Sequence, residues 1–416
     1  MKTRTTFTLS LTAILILAAG SALAYSGGSG TAGDPYQIAT KADLLALAAN
    51  MADYNKCFIL TADINMGGQV FMTAIIAANP GQDYPFGGTA FTGTFDGKGH
   101  RIACFTINGG SNSYLGLFGQ INSSGSVKNL GLEYFVVVSS SSYVGGLVGW
   151  NYSGSISNCY STGTVSGTYF VGSLVGYNDS SISYCYSTGA VSGDSNAYSV
   201  GGLVGESGGG SISNCYSTGT VSGGSKSYYV GGLVGQNGGG SSISNCYSTG
   251  TVSGSNYVSG LVGMNYGSIS VCYSTGAVSG FYRVGGLVGW SFSGSISSSF
   301  WDTNTSGQTI SSGGTGMTTA QMKTLSTFTS AGWNFTTIWA ICEGTNYPRL
   351  IWQIPAADWV CPDGVNFADF AYFAERWQTT GCNSSNNFCG GTDMNGSGTV
   401  DMQDFAMFAE NWLSGE

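Results

Sequence analysis

Read from Tyr143 the chain runs YVGGLVGWNYSGSISNCYSTGTVSG, and read from Phe170 it runs FVGSLVGYNDSSISYCYSTGAVSG. The same frame returns at Ser199, Tyr229, Tyr257 and Arg283, so that Val144, Val171, Val200, Val230, Val258 and Val284 stand 26 to 30 residues apart. A looser copy begins at Tyr114 and sets Leu115 one period before Val144. Self-similarity at such a period marks a solenoid or array. Each unit offers three short β-prone runs, 144–149, 155–161 and 164–166 in the first, divided by the turn formers Gly, Asn and Ser. No unit shows a helical apolar period, and none is long enough to bury a core alone. Parallel stacking solves both problems: each run pairs with its copy in the next unit, in coils about 4.8 Å thick. Seven coils then span roughly 34 Å by the same spacing, with right-handed winding expected. Glycine, 68 of 416 residues, is expected at positive-φ corners. The variation in length falls after TVSG or AVSG and after LVG, which are read as corner loops.

Charge narrows the partners. Twelve Lys plus Arg against 21 Asp plus Glu, net −9, cannot build a phosphate-neutralising surface, so nucleic acid is excluded as a partner. Apolar residues at 42% rule out a disordered chain. Lys2 and Arg4 precede an apolar run over 7–19, and Ala22-Leu23-Ala24 is a small-x-small cleavage site, which predicts a signal peptide over 1–24. The mature chain is expected to carry no membrane span and to be secreted, extracellular or on the cell surface.

The repeat resembles the GLUG motif family, whose Gly-Leu-x-Gly core stands at 116–119, 146–149, 202–205, 232–235, 260–263 and 286–289, with Ser173 replacing the first glycine of one copy. LTADINMGG and FTGTFDGKGHRI upstream, and SFWDTNTSGQ, GGTGMTTAQM and AGWNF downstream, look like the family as well. The resemblance covers about 34–354 and implies a β-solenoid on a secreted or surface protein, without implying a reaction. Some relatives are immunoglobulin-cleaving metallopeptidases, whose zinc motif HExxH is absent, His100 being the single histidine. Two capping helices are expected to close the stack, one opened by Thr40-Lys-Ala-Asp43 and one by the capping box Thr318-Thr-Ala-Gln321. The resulting division is 25–90 N-terminal cap, 91–300 solenoid, 301–354 C-terminal cap and 355–416 a separate module.

Two repeat positions invite a functional reading. Cys159, Cys185, Cys215, Cys246 and Cys272 share one, with Ser299 in the last copy, and read as a buried stack of small side chains. The next is always aromatic: Tyr160, Tyr186, Tyr216, Tyr247, Tyr273 and Phe300. Stacked tyrosines could offer a flat face to sugar rings or simply fill a corner. At most one of the two neighbours points inward, and the sequence leaves open which. Asp179, Asp194 and Glu206 are the only acids from 143 to 299, are expected in loops, and do not repeat, whereas a glycosidase needs two carboxylates. Asp96 and His100 read as a turn. No catalytic residue is assigned, and the chain is expected not to be an enzyme.

The last sixty residues differ in kind. Asp393, Asn395, Ser397, Asp401 and Asp404 place oxygens at positions 1, 3, 5, 9 and 12 of a loop, Gly398 allows the turn at 6, and Thr399 supplies a carbonyl at 7, the donor pattern of a Ca²⁺ loop. Phe405, Phe408, Ala409 and Trp412 continue as one helical stripe. Thirty-five residues earlier, Asp358, Asp363, Asn366 and Asp369 form a candidate second metal site, expected to be one residue short between Gly364 and Val365 and followed by a matching helix. Two loop–helix halves without entering helices resemble a type I dockerin. That resemblance implies a small α-helical calcium-binding domain that docks onto a cohesin-like protein or cell-surface component. Pro362 and the shortened first loop depart from the pattern, as do Met402-Gln403 and Phe367-Ala368 where recognition residues usually sit. Cys361, Cys382 and Cys389 suggest one disulfide, pairing undetermined. The fold expected is therefore mainly β, a parallel β-helix-like solenoid of about seven coils plus this dockerin-like module. The function expected is a non-enzymatic adhesion, structural or scaffold protein. The alternative is a carbohydrate-binding or polysaccharide-degrading component of an extracellular assembly.

Overall fold

A computed structural model describes residues 25–81 and 84–412; the expected signal peptide lies outside the described residues. The repeats stack in parallel and in register. Val144, Val171, Val200, Val230 and Val258 pair in succession, as do Ile156, Ile182, Ile212, Ile243, Ile269 and Ile296. These valines and isoleucines, with the leucines at 147, 174, 203, 233 and 261, fill one continuous apolar interior of about seven turns. A coil holds five strands rather than three: Ser142–Gly145, Val148–Asn151, Ser155–Ser157, Tyr160–Ser161 and Thr164–Gly167. The run 155–161 breaks at Asn158, whose φ of 51° turns the chain. Asparagine tolerates this left-handed region better than most residues.

That break corrects the expected role of glycine. Most repeat glycines have ordinary backbone angles, and the corners belong to residues such as Asn158, Asn214 and Tyr257. Glycine recurs because coils touch there: a Cβ on Gly219 would collide with the carbonyl of Gly189, and one on Gly250 with that of Gly219. The expected corner loops are present as the turns near 194–198 and 224–228, and near 208–210 and 238–241.

The N-terminal region extends the same stack. Tyr36–Ile38 and Cys57–Leu60 are the first strands of the ten-stranded sheet that continues through Thr94–Asp96 to Ser295–Ser297. The helix Lys41–Ala49 buries Leu44 and Leu47 against this end. Its Thr40 N-cap forms as read, the Asp43 amide donating to Thr40 Oγ1 at 3.2 Å, and the Thr40 amide donates in return to Asp43 Oδ2 at 2.9 Å, which completes a capping box.

The other cap is not an end plug. The Thr318–Gln321 box opens a short helix as expected, but the segment 315–354 lies along the side of the solenoid. It forms a second apolar cluster with Tyr247, Tyr273 and Phe300, built around Trp333, Trp339 and Leu350. The last coil is instead covered by 308–315, where the Gly286 amide donates to the Ile310 carbonyl and Ser311 Oγ accepts from the Val288 amide. The module beyond 355 has its own small clusters around Phe408 and Phe373. It is tied to the 315–354 segment, a strap along the solenoid, by the Cys342–Cys361 disulfide and by Arg349 Nη1, which donates to the Pro362 carbonyl at 3.0 Å. A second disulfide joins Cys382 to Cys389. The three module cysteines therefore use a partner outside the module.

Candidate functional site

Cysteine is the inward neighbour. All five repeat cysteines are buried, while the adjacent tyrosines face outward. Each thiol serves the backbone of its own and the preceding coil. The Cys159 amide donates to Cys185 Sγ, and the Cys185 amide to Cys215 Sγ, both at 3.4 Å. Each Sγ–H in turn points at the carbonyl two residues back. Ser299 takes the same place, accepting from the Cys272 amide at 3.1 Å. The stack is thus a hydrogen-bonding column as well as packing. Burial pushes the thiols of Cys159, Cys185 and Cys246 up, so they stay protonated.

The tyrosine column cannot be a sugar platform. Tyr160, Tyr186, Tyr216, Tyr247 and Tyr273 stack with centroids 4.9–5.0 Å apart and planes within 10° of parallel, so their faces are turned toward each other. The strap covers the far end. Tyr273 Oη donates to the Pro348 carbonyl at 2.7 Å, Gln353 Nε2 donates to Tyr247 Oη at 2.8 Å, and the Trp352 indole donates to the Asn214 carbonyl at 3.2 Å. Asp96 and His100 do not meet. Asp96 accepts from the Lys98 amide and Asn129 Nδ2, while His100 Nδ1 lies 3.1 Å from Asp63, which confirms the turn.

A different face carries aromatic groups that sequence reading missed. The strand Val148–Asn151 and its copies align Trp150, Tyr177, Glu206, Gln236, Met264 and Trp290 in one row. Beside that row stand the residues preceding each anchor valine, among them Tyr143, Phe170, Tyr229 and Tyr257. The two rows interlock: Tyr143 lies 5.5 Å from Trp150, Phe170 lies 5.1 Å from Tyr177, and the Arg283 guanidinium sits 3.4 Å over the Trp290 ring. Glu206 is not in a loop as expected but on the strand Val204–Ser207, 8% exposed. It accepts from Ser199 Oγ at 3.1 Å and Gln236 Nε2 at 3.0 Å. Burial raises its pKa to about 7, against the Ser199 bond, with the nearby Asp179 adding to the rise. Asp179 accepts from the Trp150 indole at 2.9 Å and is itself raised by burial.

In the module, Asp393 and Asp404 are buried at opposite ends of one loop. Asp393 accepts from the Ser397 and Gly398 amides, and Asp404 from the Asn395 and Asp401 amides, at 2.9–3.0 Å. Asn395 Oδ1 accepts from the Ser397 amide, Thr399 offers its carbonyl to Ser397 Oγ, and Asp401 caps the helix Met402–Glu410. The earlier loop repeats this pattern. Asp369 accepts from the Val360 and Asn366 amides, as Asp404 does from Asn395 and Asp401, so positions 3, 9 and 12 correspond and the expected one-residue deletion is absent. Asn366 caps the helix Phe367–Ala374, its Nδ2 donating to Asp363 Oδ1. Asp358 Oδ1 is buried with no partner, and burial raises that carboxyl to about 6 with Asp369 and Asp363 adding to the rise. An orphaned carboxylate oxygen is a donor of the kind a hard cation takes. Among the described residues, no group of three or more His, Cys, Asp or Glu converges as a metal cluster.

A family model described as the GLUG motif matches residues 140–166, 167–192, 196–222 and 226–253. Those four coils are GLUG repeats. Halomucin of Haloquadratum walsbyi is 34% identical over 155 residues, 36% of this chain and 2% of that protein. A protein of Evansella cellulosilytica named as a Gly-rich membrane protein is 38% identical over 136 residues, 31% of this chain and 14% of that protein. The chain therefore spans only a small part of these relatives' length. Among solved structures, a Bacteroides ovatus protein assigned by name only as an immunoglobulin A1 protease matches with TM-score 0.52 and 23% identity, over 79% of this chain and 95% of that one, a likeness of fold alone. No helix among the described residues is long and apolar enough to cross a membrane.

Proposed function

We propose that this GLUG solenoid is a non-enzymatic scaffold or adhesion protein of the cell exterior, attached through residues 355–416 in a Ca²⁺-dependent, dockerin-like manner. The observation that carries the docking reading is a pair of apolar grooves related by a shift of 35 residues. One, of about 340 Å³, is lined by Phe370, Phe373, Ala374, Trp377, Met402 and Phe405. The other, of about 350 Å³, is lined by Phe405, Phe408, Ala409, Trp412, Phe367 and Phe370. Phe367 and Met402, at equivalent helix starts, are 76% and 65% exposed. Apolar side chains so presented suit a protein partner of cohesin type. In the calcium-bound form Asp393, Asn395, Ser397, Thr399, Asp401 and Asp404 would hold one ion, and Asp358, Asp363, Asn366 and Asp369 a second. The ion's part is to neutralise the gathered carboxylates and so fix the two helices that build the grooves.

Calorimetry of the full chain tests this. A chelator is expected to lower or abolish a small transition belonging to the module while the solenoid's transition and β circular dichroism stay unchanged, and Asp393→Ala should act like the chelator. An unmoved module transition would remove calcium and the docking reading together. The non-enzymatic reading is supported by the engagement of Glu206 and Asp179 with neighbouring side chains; polysaccharide hydrolysis abolished by Glu206→Gln would overturn it.

A further inference from the structure

The aromatic face continues outward through a third row. The residue two places before each anchor valine is Ser142, Tyr169, Tyr198, Tyr228, Asn256 and Tyr282 in successive coils. Tyr169, Tyr228 and Tyr282 are 44–46% exposed, and Tyr152, edge-on to Trp150, is 48% exposed. Tyr198 lies 6.3 Å from Tyr169 and 6.1 Å from Tyr228, at interplanar angles of 35° and 38°. These rings are splayed, unlike the closed stack under the strap. Soluble proteins seldom leave so long an aromatic surface uncovered without a use.

Three properties of this face narrow its occupant. First, it advances by one coil of about 4.8 Å at each step, a regularity suited to a linear polymer with a short repeat, where a folded partner offers no matching period. Second, it is made of rings and hydrogen-bonding groups, with Glu206 and Gln236 following Tyr177 in the inner row, Asp179 beside Trp150, and Met264 as the one flexible apolar side chain of that row. Rings present a negative π-face to polarised C–H groups, and amides and carboxyls present partners to hydroxyls; an aliphatic helix or lipid would call for Leu, Ile or Val. Third, its charged groups are few and mixed: Asp179, Asp194 and Lys226 in the corner loops leading into Tyr198 and Tyr228, and Arg283 stacked on Trp290 at the far end, while Glu206 is pushed toward its neutral form. An anionic polymer has no cationic row to meet.

We propose that this face is a binding track for an uncharged polysaccharide, whose sugar rings lie across the tyrosines of the outer row and whose hydroxyls bond the polar groups between them. The track belongs to the sheets of Ser142–Gly145 and Val148–Asn151 and the corner between them, whereas the strap covers the Tyr160–Phe300 column on another sheet. Ligand and module can therefore be engaged at once.

The repeats themselves supply variants that keep the fold, because Ser142 and Asn256 already occupy outer-row positions. Affinity electrophoresis of the full mature chain is run through gels containing hydroxyethylcellulose, xyloglucan, galactomannan or polygalacturonate. Retardation is expected with at least one of the three neutral polymers and not with polygalacturonate. Tyr169→Ser with Tyr228→Asn is expected to weaken that retardation at least tenfold while the thermal melt stays within a few degrees. Tyr186→Ser, in the column beneath the strap, should leave retardation unchanged. The proposal is overturned by no retardation in any neutral gel, by retardation that the double variant leaves intact, or by preferential retention on polygalacturonate. Binding of a protein partner to this face that the double variant abolishes, with no neutral polymer retained, would likewise overturn it.

Discussion

Glu206 is held among neutral donors, Ser199 Oγ and Gln236 Nε2, with Asp179 as the nearby charge and the rings of Tyr143 and Tyr177 around it. Its pKa rises from the ordinary 4.5 to about 7, so between those values the unfolded chain has lost the proton while the folded chain keeps it. Stability is then full below about 4.5, falls as pH rises, and is flat above about 7, a loss on the order of 3 kcal/mol. Glu206→Gln keeps both hydrogen-bonding partners and cannot ionise. Urea titrations from pH 4 to 8 should show the native chain losing stability relative to this variant across that window; parallel curves would refute the assignment. The cysteine column makes a second residue-scale prediction. Cys215→Ser keeps an acceptor for the Cys185 amide and should cost about 1 kcal/mol, whereas Cys215→Val orphans that amide and crowds its coil, costing about 2–4 kcal/mol by denaturation. The column's existence was legible from the repeat. Its role was not, because a free thiol reads as a small apolar group until the amide of the preceding coil is seen to point at it. Glu206 was missed for a related reason: a single acid in one copy out of six looks like a loop residue, and only the register with Tyr177 and Gln236 places it on a strand.

At the scale of elements, the strand runs, the corner loops, the Thr40 and Thr318 caps and the two loop–helix halves all follow from local chemistry, and local chemistry is what a sequence displays. The course of the 315–354 strap does not, since its landing surface is made by residues about a hundred positions earlier: Trp352 meets Asn214, and Gln353 meets Tyr247. A tryptophan held by rings of Tyr184, Tyr186 and Tyr216 at 5.8–6.3 Å is the strap's farthest anchor. Trp352→Ala should cost about 2 kcal/mol locally. Limited proteolysis is expected to cut the variant between about 343 and 357 at a rate several-fold above that of the native chain, with the far-UV spectrum unchanged. Equal rates would mean that the strap is held by Trp333 and Trp339 without it.

Across the whole molecule, each coil contacts its neighbours and little else, so stability accumulates coil by coil. Removing residues 140–166 deletes one coil whose Tyr160 lies outside the strap contacts named above, and should yield a folded, shorter protein melting within a few degrees of the native one. Removing 226–253 also deletes one coil, but takes Tyr247 from beneath Gln353 and draws Asn214 one step nearer the strap's origin. That second deletion should expose the tyrosine column, read as increased tyrosine and tryptophan fluorescence quenching by acrylamide. Equal behaviour of the two deletions would show that the strap has no fixed landing place. The strap thereby bears on how such a gene can change over generations. Near-identical repeats recombine out of register, adding or dropping copies. Copies gained upstream of the strap's footprint only lengthen the aromatic face, whereas copies gained within it separate Trp352 from Asn214 and uncover the rings. Descendants should therefore differ in length on the N-terminal side of Cys185 and stay constant in copy number beyond it.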